Sequence, residues 1–154
     1  NKALEVIEAA YLFGLAPRQI EVVIHPQSVI HSMVQYQDAS VVAQLGTPDM
    51  RGPIAYGLSW PERIASGAAP LDFMRMQALT FEAPDARRFP GLPLAWQALE
   101  ATPGTSAILN AANEVAVQAF LDGRIRYDHI FQVNDATLSA VRVSKPGSLD
   151  DLRL

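Results

Sequence analysis

Between Pro61 and about Pro90 the sequence changes character, and this break constrains the fold more than any other feature. The segment is rich in Pro, Gly and Ala and holds one strand-like run, ALTFEA, so it reads as a long connector between two units. Ahead of it lie short β-rich runs. IEVVIH (20–25) stops at Pro26, while VIHSMVQYQ (29–37) and SVVAQLG (40–46) flank Asp38 and Ala39 in a hairpin whose turn lacks the usual glycine. GTPDMRGP (46–53) reads as a loop, followed by a short helix from about Asp49 to Leu58. Behind the connector the composition turns to Ala-rich helix at 92–101, 105–123 and 126–142. The second of these is expected to be capped by Thr105 or Ser106 and stopped by Gly123, the third to be stopped by Pro146. The expected class is α+β: a mixed sheet with covering helices over 1–62, the connector over 63–90, and a small helical bundle over 91–154.

The chain opens NKALEVIEAAYLF, a helix over residues 2–13 ended by Gly14 and Pro17. At about 100° per residue, Asn1, Glu5, Glu8 and Leu12 fall within roughly 60° of one another, and apolar side chains occupy most of the remaining circumference. A surface helix has the opposite proportions, so the two carboxylates are expected to face a crevice. A carboxylate there needs a cation, hydrogen bonds or a proton. Glu5 suits one ligand position of a hard divalent cation, or an ion pair with a core Arg. Lys2 and the Asn1 amide, at a helix N-terminus, suit an anionic phosphate; the alternative is a solvated Lys2 in mid-helix.

Along the first hairpin strand, Val29, His31, Met33 and Gln35 share one face and Ile30, Ser32, Val34 and Tyr36 the other. Both faces are mostly apolar, so the strand is expected to be covered on both sides. His31 is then either a satisfied core histidine or a site residue. His25, before Pro26, reads as structural, and His129 has no partners at ligand spacing. Met50 and Trp60 flank a Gly/Pro-containing segment that suits either a mobile cover over a ligand or plain packing. Asn110, Asn113 and Glu114 form a polar stripe that hydrogen bonds between helices explain.

Composition excludes several classes. The net charge is −4 with no basic stripe, which gives no reason to expect a nucleic-acid partner. There are no cysteines, hence no disulfide framework or thiolate metal site. No apolar run reaches the ~18 residues of a membrane span and no signal peptide is visible, so a cytosolic protein is expected. The ends look cut: there is no initiator Met, and SLDDLRL begins a helix, with Ser148 as N-cap and Asp150 and Asp151 in its first turn.

Taken together, NKALEVIEA, IEVVIHPQSVIHSMVQYQDASVVAQLGTPDMRGPI, PLDF, ALTFEAPD and LNAANEVAVQAFL resemble the 1-deoxy-D-xylulose 5-phosphate reductoisomerase family, in order and over nearly the whole chain. The resemblance implies a homodimeric bacterial cytoplasmic enzyme. It would convert 1-deoxy-D-xylulose 5-phosphate to 2-C-methyl-D-erythritol 4-phosphate by metal-assisted rearrangement and NADPH reduction, in non-mevalonate isoprenoid synthesis. Under it, residues 1–62 belong to the catalytic and dimerisation domain and 91–154 to an incomplete C-terminal bundle. The nucleotide-binding domain and an Asp-x-Glu pair of metal ligands would lie outside this chain. Glu5 matches a ligand of Mg²⁺ or Mn²⁺, with Co²⁺ also admissible. Asn1 and Lys2 match contacts to substrate oxygens, and Glu8 a supporting acid. Pro48 and Met50 match a loop near substrate and nicotinamide, and His31 a histidine that supports the geometry of the catalytic site. The rival reading is a non-catalytic dimerisation and docking module. A metal hydrolase is disfavoured, because no second cluster of His or acid stands at ligand spacing.

Overall fold

The computed structural model describes residues 1–142, 145–148 and 150–152. Its elements in chain order are α1 (Lys2–Phe13), β1 (Ile30–Gln35), β2 (Val41–Leu45), α2 (Arg51–Ser59), α3 (Pro93–Glu100), α4 (Thr105–Leu121) and α5 (Tyr127–Ala140), with single 3₁₀ turns at Pro17–Gln19 and Asp150–Leu152. They divide into two compact units, Asn1–Val22 with Pro84–Leu154, and Val23–Ala83. The α+β class holds. The sheet expected to be mixed consists, among the described residues, of the antiparallel pair β1–β2.

In the first unit, Val6 and Ile7 of α1 pack into one cluster with Leu94, Ala95 and Ala98 of α3, Ile108 and Leu109 of α4, and Leu138 of α5. Each large aliphatic side chain removed from water here contributes about 1.5–3 kcal/mol. α4 lays Ala112, Ala116 and Ala119 inward at helical spacing, and these small side chains let α5 come close. Between the two helices the Asn134 amide donates to Asn113 Oδ1 at 3.3 Å. Trp96 on α3 donates its indole N–H to the Pro17 carbonyl at 3.2 Å, pinning the segment that leaves α1.

Four expectations are corrected in this unit. The wrapped, crevice-facing helix does not form: α1 buries Val6, Ile7 and Ala10, and the Asn1–Glu5–Glu8 stripe lies about 180° away on the outer face. Tyr11, Leu12 and Phe13, at the end of α1, are exposed. α4 is not capped by Thr105 or Ser106. Its N-cap is Gly104 at φ 100, where a Cβ would press the Pro146 ring at 3.3 Å, and the Thr105 hydroxyl donates back to the Thr102 carbonyl instead. α5 ends before Pro146 has any say, since the Arg142 guanidinium donates to the carbonyls of Leu138 and Val141 and satisfies the helix end. Of the helix expected from Ser148, one 3₁₀ turn is present. There the Asp151 carboxylate accepts from the backbone N–H groups of Gly147 and Ser148, which hold its pKa below the usual value. Leu149, Arg153 and Leu154 of that stretch lie outside the described residues.

IEVVIH and ALTFEA do not form strands; within the second unit they meet at one bridge, Ile24 with Glu82, through paired N–H···O bonds of 2.9 Å. The HPQ step clasps the same run. His25 Nδ1 lies 2.9 Å from the Thr80 carbonyl with its ring stacked on Phe81, and the Gln27 amide donates to Thr80 Oγ1 and accepts from Thr80 N–H. This gives the structural reading of His25 a concrete partner. The hairpin is present, but it is exposed on both faces rather than covered, with the side chains of Val34, Tyr36, Val41 and Val42 in solvent. A two-stranded ribbon has no second layer of its own. Its register carries a bulge, because Ile30 pairs with Leu45 and Ser32 with Gln44, leaving His31 as the extra residue. The simple alternation expected along β1 therefore breaks at His31.

The hairpin turn keeps its shape without glycine. Ala39 adopts φ 66, and the Asp38 carboxylate accepts from both the hydroxyl and the backbone N–H of Ser40, which lower its pKa. An L-residue with a Cβ is disfavoured in that left-handed conformation by about 1–2 kcal/mol. Ala39→Gly is therefore expected to stabilise the protein by about 0.5–1 kcal/mol in a chemical denaturation titration. A loss of stability would show that the turn is built differently.

Candidate functional site

The first turn of α1 gathers three of the expected site residues. Glu5 accepts from the Asn1 side-chain amide on one oxygen and from the Lys2 ammonium, at 2.6 Å, on the other. The spacing causes this: positions three and four apart lie on one helix face. The carboxylate also offsets the unfavourable placement of Lys2 at the positive end of the helix dipole. The partner of Glu5 is thus Lys2 and not a core Arg. The Lys2 side chain is 74% exposed and that of Glu5 42%, so the pair itself adds little to stability. Its value is orientation, since a carboxylate held by two donors on a helix presents its remaining lone pairs in a fixed direction. Glu8 is exposed.

This donor set can be compared with what a hard cation requires. Among the described residues no three His, Cys, Asp or Glu side chains are placed to hold a metal ion together. Mg²⁺ commonly takes only one or two protein carboxylates and fills its remaining positions with substrate oxygens and water. Glu5 is of the right chemistry for one ligand of such a set, with Asn1 and Lys2 donating to it from the same turn.

His31, Pro48 and Met50 belong to the second unit. The bulge swings His31 so that Nδ1 stands 3.2 Å from Gln44 Oε1 and Nε2 3.1 Å from the Ser28 carbonyl. A Cβ added at Gly46 would lie 3.7 Å from the ring, so the imidazole sits against the root of the loop that carries Pro48 and Met50. That loop is tied down on both sides. Thr47 donates to the Ala69 carbonyl at 3.0 Å, and the Asp49 carboxylate accepts from Arg51 Nε at 3.0 Å and Nη2 at 2.6 Å. Pro48 and Met50 remain exposed at its crest, Met50 at 69%. At the far end of α2, Trp60 is exposed too and meets Tyr56 edge-on, while the Arg63 guanidinium lies 3.7 Å from the centre of the Tyr56 ring. Gln44 and Ser28 escaped the sequence reading. The register of a hairpin can hint at a cross-strand partner for His31, but a bulge is not written in periodicity.

The remaining polar residues behave as structure. Asn110 donates to Glu114 within α4, and only Asn113 reaches across to another helix. No helix among the described residues is long and apolar enough to cross a membrane.

Comparison with known proteins adds a second line of argument. The family model described as the DXP reductoisomerase C-terminal domain matches residues 45–153. The chain belongs to the DXP reductoisomerase family. It is 59% identical over 99% of its length to the 1-deoxy-D-xylulose 5-phosphate reductoisomerase of Bordetella petrii and 60% identical over 97% to that of Pseudomonas fluorescens. It spans 38% of the length of both relatives. Among solved structures, the reductoisomerase from Zymomonas mobilis in complex with NADPH is similar over 99% of this chain and 40% of that one, at 46% identity and a TM-score of 0.90. A DOX-P reductoisomerase in complex with NADPH, fosmidomycin and magnesium is similar over 91% of this chain and 34% of that one, at 51% identity and a TM-score of 0.87.

Within the part matched to the DXP reductoisomerase family, Asp49 shows a marked electrostatic effect. Hydrogen bonds from the Arg51 side chain, then from its backbone N–H, pull the carboxyl from its ordinary 3.8 down to about 2. A depressed carboxyl contributes stability above its unfolded pKa and loses it as pH falls through the folded value. The backbone amide signal of Arg51, followed by NMR, should hold steady down to about pH 3 and move as pH falls through about 2. Asp49→Asn should abolish that step.

Proposed function

We propose that the intact protein is an NADPH-dependent 1-deoxy-D-xylulose 5-phosphate reductoisomerase that forms 2-C-methyl-D-erythritol 4-phosphate in the bacterial cytoplasm. The observation that carries this reading is the 59% identity to a named reductoisomerase over 99% of the chain. The oriented carboxylate at the start of α1 agrees with it. In this reading residues 1–62 supply the C-terminal part of the catalytic and dimerisation domain, 63–90 a connector, and 91–154 part of the helical bundle.

Glu5 holds Mg²⁺ or Mn²⁺, with Co²⁺ also compatible with an oxygen ligand. When bound, such a metal polarises the substrate carbonyl as a Lewis acid, and NADPH supplies the hydride. Asn1 donates a hydrogen bond to a substrate hydroxyl, and Lys2 places its charge beside the oxygens that gain negative character. Both lie within one turn of Glu5, so substrate oxygens and metal ligand are positioned by the same rigid element. Glu8 supports that face of the helix. Met50 and Pro48 contribute an apolar edge on the substrate and nicotinamide side, where exclusion of water protects a hydride transfer. His31 has both ring nitrogens turned to oxygen acceptors, which suits a residue that fixes geometry better than one that carries a proton away. A homodimer through the catalytic domain is supported by the hairpin, whose apolar side chains are exposed on both faces.

A second reading applies to the chain taken alone. With one candidate metal carboxylate and an exposed hairpin, it suits a dimerisation and docking module without turnover. Two measurements test the pair of readings. In the intact protein, Glu5→Gln is expected to lower turnover by about two orders of magnitude or more and weaken Mg²⁺ binding with the thermal midpoint unchanged. Normal metal affinity and rate would remove Glu5 from the ligand set. The 154-residue chain, mixed with substrate, NADPH and Mg²⁺, is expected to consume no NADPH, and steady consumption would overturn the docking-module reading.

A further inference from the structure

Two local irregularities of the second unit converge on one side chain. Ser28 is a non-glycine residue at φ 51, and β1 carries its bulge at His31. A left-handed serine and a broken strand register each carry a conformational cost and persist only where the surroundings enforce them. Here each has a visible product. The turn at Ser28, closed by its N–H on the His25 carbonyl at 3.0 Å, points the Ser28 carbonyl at His31 Nε2. The bulge brings His31 Nδ1 to Gln44 Oε1. The orientation of that amide is itself fixed, because Gln44 Nε2 donates to the Leu45 carbonyl at 3.1 Å and so leaves Oε1 for the histidine.

From this geometry we infer that Gln44 is a positioning residue, which together with the Ser28 carbonyl sets the ring plane of His31 beside the root of the loop bearing Pro48 and Met50. The inference rests on the reading of His31 as part of the reductoisomerase site. A ring that only filled space in the hairpin would need neither a fixed amide on one nitrogen nor a strained carbonyl on the other. Partners of this kind govern rate by holding a neighbouring group in its productive orientation.

The test uses the intact protein with Gln44→Ala, Gln44→Glu and His31→Ala. Gln44→Ala is expected to lower kcat about 10- to 100-fold with KM little changed and the thermal midpoint retained, and to alter the ring ¹⁵N–¹H pattern of His31. Gln44→Glu keeps an acceptor opposite Nδ1. It should recover most of kcat. If Gln44→Ala leaves kcat and the ring pattern unchanged while His31→Ala loses activity, the positioning role is overturned and the site reading stands. If His31→Ala is itself fully active, both fall. A lowered thermal midpoint at unchanged kcat would overturn the role as well, reducing Gln44 to a cross-strand tie.

Discussion

The packing of α1 on α3 is the contact on which the first unit depends. Ala95 and Ala98 offer a surface with no side chain beyond Cβ, and Val6 and Ile7 settle against it beside Leu94. Shape matters here more than total apolar area, because a larger residue at either alanine would push α1 outward and overpacking is itself destabilising. This one contact also decides which way the polar side of α1 faces. Once Val6, Ile7 and Ala10 are inside, Asn1, Lys2 and Glu5 must stand together on the outside, with the Glu5 carboxylate held by its neighbours rather than by a wall of the same unit.

Much of this architecture was legible before any coordinates. The α1 span and its end at Gly14, the two hairpin strands, α2 and the three bundle helices follow from period and punctuation alone, because Gly and Pro interrupt regular structure for reasons local to the backbone. Helix ends were read less well where the deciding group was a side chain acting from a distance. Arg142 finishes α5 by reaching back to carbonyls, and Gly104 starts α4 because the Pro146 ring stands over it. Neither relation is visible to a rule that looks for Ser or Thr before a helix and Pro after it.

The candidate site divides in the same way. Spacing set Asn1 and Glu5 on one stripe and Lys2 beside Asn1, but the ion pair of Lys2 with Glu5, which joins all three, was not among the partners expected for that carboxylate. It also suggested a covered strand with His31 facing a core, which is not what the second unit contains. Apolar alternation reports which positions are hydrophobic, and it cannot report whether a second layer exists to cover them. His31 was further disguised by the bulge, since a one-residue insertion reverses the facing of everything on one side of it. The polar partners of the histidine, one on the opposite strand and one a backbone carbonyl, have no signature in a single sequence.

The Asn113–Asn134 contact has a consequence for the bundle beyond its single hydrogen bond. Asn134 is only 7% exposed, and its own Oδ1 has no hydrogen-bond partner. A lone polar pair at an otherwise aliphatic seam does little to hold two helices together. Sliding α5 by one turn along α4 would strand both amides among methyl groups, at a cost of about 1–3 kcal/mol for each. The pair therefore works as an alignment key: it makes other pairings of the alanine-lined face of α4 with α5 worse and favours a single registration of the two helices.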